Sequence, residues 1–353
     1  MRDDGHISGY RVAVLTLDHH AAGPVARSAD ALAADFPGLH VSIHAAAEFA
    51  ENPEALEVAR DAILHADIII CTILFLEEHV EALLPEMRAR REDCDAFVGL
   101  ISDRAIVQLT KMGDLDMSKP ASAAMRLMKR LRGSAKPSAN SGAKQMKVLR
   151  RLPKILKLIP GKAQDLRAWF LSMQYWLGGS DDNIREMIRF LVARYARNPE
   201  WACVRAEAPV DYPDVGLYHP DLPDHGITED LADLPRDEAR PTVGLLLLRS
   251  YILAGDTAHY DGVIRAYEAK GMNVVAAFAG GLDGRPAIEA YHAGRIDALV
   301  SLTGFSLIGG PAYNDSDAAV ETLAELDVPY IAAHPLEFQT LGQWALSAQG
   351  LGP

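Results

Sequence analysis

The chain reads as an α/β protein: two doubly wound, mainly parallel-sheet units joined by a helical, partly basic insertion. Three observations predict this. Apolar, β-branched runs recur about every 28 residues in the first third, with helix-period patterns between them. The same alternation returns after Pro241. Between the halves, Met117 to Gln164 carries 13 Lys and Arg and no Asp or Glu, leaving 22 basic against 48 acidic residues elsewhere. Strand–helix alternation calls for parallel pairing and right-handed crossovers. Four segments follow: an N-terminal α/β domain over 1–116, a basic flexible insertion over 117–164, a helical hairpin and Pro-rich connector over 165–240, and a second α/β domain over 241–353.

In the first domain, "YRVAVLTLD" (Tyr10 to Asp18) is an apolar strand, and "GPVARSADALAADF" a helix with Pro24 near its start. "LHVSIHAA" is a second strand. "NPEALEVARDAILH" is a second helix, with Asn52 as cap and Pro53 in the first position. The continuous apolar character of "ADIIICTILF" marks a strand buried on both faces. "EEHVEALLPEMRARRED" is a helix that contains Pro85, and "DAFVGLIS" a fourth strand. Inside the basic segment, "RGSAKPSANSGAKQ" (Arg132 to Gln145) has the composition of a mobile linker. Two readings stand there: a solvated insertion, or a docking patch for an anionic partner, ligand carboxylates or a membrane surface. Nucleic acid is disfavoured, because the basic run lacks aromatic stacking platforms.

Leu166, Trp169, Phe170, Met173, Trp176 and Leu177 recur at three- and four-residue steps, the face of one helix. Gly178 and Gly179 end it, and Ser180 or Asp181 caps the next helix, whose stripe runs from Ile184 to Tyr195. The bulky pair Tyr175 and Trp176 fits core packing or ligand contact. Trp201 to Arg240 is rich in Pro, Asp and Tyr and reads as an ordered connector with little regular structure. The second domain follows: strand "PTVGLLLLRS", helix "DTAHYDGVIRAYEAKG", strand "MNVVAAFAG", helix "GRPAIEAYHAG", strand "IDALVSLTGFSL", helix "SDAAVETLAELD" and strand "VPYIAAH".

Composition bounds the function. Hydrophobic content of 49% and charged content of 24% are those of a globular protein. A net charge of −13 disfavours nucleic acid and anionic membranes. Three widely spaced cysteines without CxxC argue against a disulfide framework and a structural zinc site, so no metal ligand set is expected. The N-terminus lacks a signal-peptide core, and the run Ile68 to Leu76 is far short of the ~20 residues that span a bilayer. A cytoplasmic location is expected, with peripheral membrane association as the alternative.

The chain has no GxxxxGK[ST] and no GxGxxG after its first strand, so it carries no sign of a nucleotide site. "AGGLDGR" (Ala279 to Arg285) follows a strand and opens a helix; it is a turn or an anion-binding loop. Parallel sheets bind ligands beyond the carboxyl ends of their strands. Those ends carry Asp18, His19, His20, Glu77, Glu78, Ser102 and Asp103 in the first domain. In the second they carry Arg249, Ser250, Tyr251, Gly280, Gly281, Thr303, Gly304, Phe305 and His334. His19 and His20 read as surface or loop histidines, and His40 and His44, roughly 13 Å apart on one strand face, are too distant for one metal. Neither GxSxG nor HExxH is present.

Four stretches carry a resemblance: "WFLSMQYWLGGSDDNIREMIRFL", "DYPDVGLYHPDLP", "GLLLLRSYILAGDTAHYDGVIRAYEAKGMNVVAAFAGGLDGRPAIEAY" and "DALVSLTGFSLIGGPAYNDSDAAVETLAELDVPYIAAHPLEFQTLGQW". Together they resemble the family of the large, porphyrin-binding subunit of magnesium chelatase, and the later segments are shared with the aerobic cobaltochelatase large subunit. The basic insertion reads like the bacteriochlorophyll branch. The resemblance implies ATP-dependent insertion of Mg²⁺ into protoporphyrin IX, a ligase-type metal chelation. Mg²⁺ would be the substrate ion, and ATP would be used by two separate ATPase-type subunits; the downstream methyltransferase is a further expected partner. Family members are several times longer, so the resemblance marks this chain as an N-terminal portion, inactive alone, with its porphyrin and metal contacts mainly elsewhere. No catalytic residue is carried over. The candidate substrate contacts are Arg249, Gly281, Asp283 and Arg285, with Tyr175 and Trp176 of the hairpin. The alternatives are a cobaltochelatase relative acting on a corrin ring, and a non-catalytic binding or docking module.

Overall fold

The computed structural model describes residues 9–17, 19–49, 52–119, 163–281, 283–304, 306–310, 313–333, 341–348 and 350. Most of the basic insertion expected over 117–164 lies outside these residues, as do Asp18, Phe305 and His334. The described residues up to Val210 form one compact unit, and those from Asp211 onward form another.

The first unit is a six-stranded sheet. Its strands are β1 (Tyr10–Thr16), β2 (Leu39–Ala45), β3 (Ile68–Cys71), β4 (Ala96–Gly99), β5 (Lys111–Met112) and β6 (Leu115–Asp116), in the order β2-β1-β3-β4-β5-β6. The first four are parallel, and β5 and β6 add an antiparallel edge. Side chains alternate across the sheet as the strand period requires. Val12, Val14, Ile68, Ile70 and Val98 enter one core, with α1 (Ala22–Asp35). Ala13, Leu15, Ile69, Cys71 and Phe97 enter the other, with α2 (Pro53–His65) and α3 (Glu77–Arg90). The Asn52 side chain accepts the Ala55 N–H, as its position before Pro53 predicts. The short α4 (Arg104–Gln108) leads into β5.

The hairpin completes this unit. Helix α5 (Ala163–Gly178) buries Leu166, Trp169, Phe170, Met173 and Trp176 in the first of those cores. The Trp169 indole N–H donates to the Gly99 carbonyl at the end of β4, 2.9 Å away. Gly179 takes a left-handed φ of 60°, which ends the helix, and Ser180 caps α6 (Asp181–Tyr195) by accepting the Asn183 N–H. Arg27 on α1 pairs with Asp181 at 2.6 Å, and Arg189 on α6 with Asp35 at 2.7 Å. The hairpin therefore shares α1's face of the first sheet.

The second unit is also a six-stranded sheet. Its strands are β7 (Val215–Tyr218), β8 (Ile227–Thr228), β9 (Thr242–Leu248), β10 (Asn273–Ala279), β11 (Ala298–Ser301) and β14 (Tyr330–Ala332), in the order β14-β11-β9-β10-β7-β8. A two-residue pair, β12 (Gly309–Gly310) and β13 (Tyr313–Asn314), stands apart. The four strands from β14 to β10 are parallel, while β7 and β8 are antiparallel. Here the expectation of an irregular connector over 201–240 is corrected. Pro213 and Pro220 bracket β7 instead of interrupting it, so the strand keeps its ladder on β10.

Helices α7 (Arg249–Leu253) and α8 (Ala258–Ala269) cover one face, over Val243, Leu245, Leu247, Val274, Ala276 and Phe278. The other face meets α9 (Arg285–Ala287), the π-helical turn Ile288–His292 that continues it, and α10 (Ser316–Leu326). A short α11 (Leu341–Leu346) follows β14. "GRPAIEAYHAG" is thus helical as expected, but its second half is wound as a π turn. Such turns concentrate at functional sites.

Candidate functional site

In a doubly wound sheet the ligand crevice opens where the strand order reverses, at the carboxyl ends. In the second unit this is between β9 and β11. The chain leaves β9 into Arg249, β10 into Gly280–Arg285, and β11 into Leu302–Leu307. These loops line a narrow cleft with Leu246, Leu248, Gly281, Gly284, Thr303 and Ser306. Its volume of about 30 Å³ has room for one or two waters. Small-molecule pockets enclose roughly 300–1,000 Å³, so a large ligand would rest on the rim.

Three of the four candidates here are fixed in place. The Arg249 guanidinium donates from Nε to the Pro213 carbonyl at 2.7 Å and from Nη2 to the Tyr212 carbonyl at 3.0 Å. Arg249 therefore ties the end of β9 to the backbone of "DYPD" (Asp211 to Asp214), part of the expected connector. The Asp283 carboxylate accepts Arg285 Nη2 at 2.7 Å, Arg285 Nε at 3.0 Å and the Arg285 backbone N–H at 3.0 Å. The pair neutralises itself within the loop. The Gly284 N–H donates to the Leu307 carbonyl at 2.9 Å, and Asp283 bridges to Ile308.

The two glycines of the loop differ. A Cβ on Gly280 would lie 3.0 Å from the Asp214 carbonyl oxygen, so the backbones meet only because no side chain intervenes. Gly281 has no heavy atom within 4 Å of the corresponding position and presents open backbone. On α7 and α8, Tyr251 meets His259 edge-on at 5.5 Å, and His259 lies 3.9 Å from the Tyr260 ring. Partial burial holds the His259 pKa below the ordinary value.

Beneath the loop, the π turn seats His292 against the sheet. The ring is fully buried and its Nε2–H donates to the Val275 carbonyl at 2.9 Å, while Nδ1 has no partner. Burial lowers its pKa to about 4, so it is neutral at pH 7. Gly244 makes room for it: a Cβ there would stand 2.7 Å from Ile296 Cδ1 and 3.1 Å from His292 Cδ2. The sequence signal for this arrangement is a glycine inside a buried strand.

The remaining candidates fall in the first unit. Tyr175 and Trp176 are 2% and 4% exposed and belong to its core. The Tyr175 hydroxyl donates to the Glu207 carbonyl, and Trp176 meets His20 edge-on at 5.8 Å. His20 lies in the loop between β1 and α1, one of the two places expected for it, but that loop turns inward and buries its ring edge-on to Trp176. His19 bonds to Glu48, and Ser102 Oγ accepts the Leu74 N–H at 3.2 Å. Asp103 caps α4, and Glu77 and Glu78 stand in the first turn of α3. Asn183 carries more than the sequence suggested. Its amide accepts the Val210 N–H at 2.9 Å and donates to the Val210 carbonyl at 3.0 Å.

At the opposite end of the first sheet, Tyr10, Asp67, Arg90, Asp95, Arg197 and Trp201 line a wider hollow. Asp95 there accepts Tyr10 Oη at 2.9 Å and pairs with Arg197 at 2.7 Å. Among the described residues no three His, Cys, Asp or Glu side chains converge on a metal position. No helix among them is long and apolar enough to cross a membrane.

Comparison with known proteins decides the family. Residues 173–353 match the family described as CobN/Magnesium Chelatase, slightly more than half of the chain. The chain belongs to the CobN/magnesium chelatase family. Residues 11–170 match a second description, a domain of unknown function, DUF3479. Two relatives, each named as the H-type subunit of magnesium chelatase, come from Cereibacter sphaeroides and Rhodobacter capsulatus; they are 67% and 63% identical across 98% of this chain. A chloroplastic magnesium-chelatase protein, ChlH, from Oryza sativa is 37% identical across 82% of it. The chain spans 29% of the length of the two bacterial relatives and 22% of the rice one. Among solved structures, the catalytic subunit of cobaltochelatase from Mycobacterium tuberculosis aligns with a TM-score of 0.48 and 17% identity, over 98% of this chain and 23% of that one.

Proposed function

We propose that the chain is the part of the large magnesium chelatase subunit that contributes to holding protoporphyrin IX while Mg²⁺ is inserted on the way to bacteriochlorophyll. The observation that carries this reading is the identity of 67% and 63% to two proteins named as that subunit, across 98% of the chain. In this reading Mg²⁺ is the substrate ion and ATP is used by separate ATPase subunits. Mg²⁺ gives up its water shell reluctantly, and the ring must lose two protons and distort, so the step needs work from outside this scaffold.

The geometry favours the rim of the β9/β11 cleft as the porphyrin contact within this chain. Gly281 offers open backbone there, and Arg249 and the Asp283–Arg285 pair hold the loops still. Tyr175 and Trp176 have no surface to offer a ring. Fluorescence titration of protoporphyrin IX against this chain tests the contact, with a corrin ring as the comparison. Saturable binding weakened by Gly281→Trp, and absent for the corrin, is the expected result; equal affinity for both rings would overturn it. Mixed with the two ATPase subunits, this chain alone is expected to form no magnesium porphyrin.

A further inference from the structure

The first sheet has a switch point of its own. Its order is β2-β1-β3-β4, and the chain leaves β1 toward α1 on one face and β3 toward α3 on the other. Hydrogen bonds show the two exits parting. Beyond β1, the Leu17 carbonyl accepts the Ala47 N–H at 3.0 Å and His19 bonds to Glu48, both on the β2 side. Beyond β3, the Ile73 N–H donates to the Ile101 carbonyl at 2.7 Å and the Leu74 N–H to Ser102 Oγ at 3.2 Å, both on the β4 side. Ile73 makes that turn at a φ of 58°, a left-handed conformation that a β-branched residue adopts only under constraint. Doubly wound sheets bind ligands between exits that part in this way.

Thr16 and Thr72 stand side by side where the exits part. Leu15 faces Cys71 in the register, and the Thr72 N–H continues the ladder by donating to the Leu15 carbonyl at 2.9 Å. Alternation puts Thr16 in line with Val12 and Val14, and Thr72 in line with Ile68 and Ile70, on the face that α1 covers. Both side chains are fully buried, and neither hydroxyl has a hydrogen-bond partner. Valine fills the same volume without a buried polar group. Hydroxyls at both positions therefore lower stability unless something bonds to them.

Helix α1 begins at the same end of the sheet. Its first turn holds no acidic residue, and no side chain caps it. The N–H groups of that turn make the local dipole positive. Arg27, one turn further on, folds its guanidinium back over Gly23, where a Cβ would stand 2.8 Å from Nη1. The dipole selects a ligand that accepts hydrogen bonds and carries negative charge. We propose that Thr16, Thr72 and the first turn of α1 form a binding site for a small oxyanion of the phosphate class. Both hydroxyls are closed from solvent, so the ligand is small and exchanges slowly. The site lies within residues 11–170, the match to a domain of unknown function, and does not rest on the porphyrin reading.

Inorganic phosphate is the probe. Hydrogen exchange over β1 and β3 is followed in the full chain as phosphate rises, with potassium chloride holding the ionic strength and β9 and β10 as the internal reference. Exchange in β1 and β3 is expected to slow saturably, by about tenfold once phosphate stands at about ten times its Kd. Phosphate also stabilises proteins through exclusion from their surface, but that effect does not saturate and reaches β9 and β10 as well. Thr16→Val combined with Thr72→Val is expected to abolish the saturable part. Thr16→Ser combined with Thr72→Ser, which keeps both hydroxyls, is expected to retain it. Absence of saturable slowing in the wild-type chain would overturn the proposal. An equal response in the double valine variant would overturn it too, and would leave the hydroxyls to an internal water. If the double valine variant does not fold, each single valine should weaken phosphate at least about tenfold, the loss set by one hydrogen bond to a charged group. Unchanged affinity in both single variants would again overturn it. The readout uses neither porphyrin nor magnesium, so a failed porphyrin titration leaves this test untouched.

Discussion

Mild acid should loosen the second unit through His292, and His292→Gln should remove that sensitivity. The folded ring titrates at about 4, while the unfolded ring titrates near 6.5. Between those values the unfolded chain holds the extra proton, so stability rises with pH across the window. Above pH 6.5 the contribution is fully present, and it is lost as pH falls toward 4. The gap of about 2.5 units corresponds to roughly 3 kcal/mol in full, and to about 2 kcal/mol at pH 5. The cause is geometric: a proton added at Nδ1 would be buried with no acceptor. Glutamine can still donate to the Val275 carbonyl but does not titrate. Urea unfolding from pH 7.5 to 4.5, followed by hydrogen exchange in β10, reads the effect. His44, His79 and His259 are shifted in the same direction, so the difference between wild type and variant is the quantity to compare. Identical pH slopes for the two proteins would refute the reasoning.

Three further outcomes are expected. Trp169→Ala should destabilise the first unit by about 3–5 kcal/mol, through a lost indole and an abandoned Gly99 carbonyl, visible as a lower urea midpoint. Gly99→Ala should cost about 1–3 kcal/mol, because its Cβ would stand 2.8 Å from the Ile106 carbonyl oxygen and 3.0 Å from Val107 Cα, both backbone atoms; calorimetry measures it. Of the three thiols, only exposed Cys203 should react promptly with a disulfide reagent. Cys71 is buried with its pKa raised, and burial pushes Cys94 up to about 11, so both should wait for denaturant.

The parallel strands were legible because burial on both faces leaves long β-branched and aliphatic runs, as at Ile68–Cys71 and Thr242–Leu248. Caps at Asn52 and Ser180 were legible because they are local. Strand β7 was not, since its partner β10 lies far along the chain and its flanking prolines resemble breakers. Gly216 inside it leaves room for the Phe278 ring, which a Cβ would meet at 2.7 Å, a contact with a residue far along the chain. At the cleft, Arg249 was found from its place after a strand, but its partners are the carbonyls of Tyr212 and Pro213, which leave no side-chain signature. Tyr175 and Trp176 were ambiguous for a different reason: aromatic spacing on a helix is the same whether the rings meet a ligand or a core.

The Gly178–Asn183 turn couples three segments of the first unit. Its residues stop one helix, start the next and clasp the backbone at Val210. A substitution at Ser180 or Asn183 is therefore felt at all three places at once.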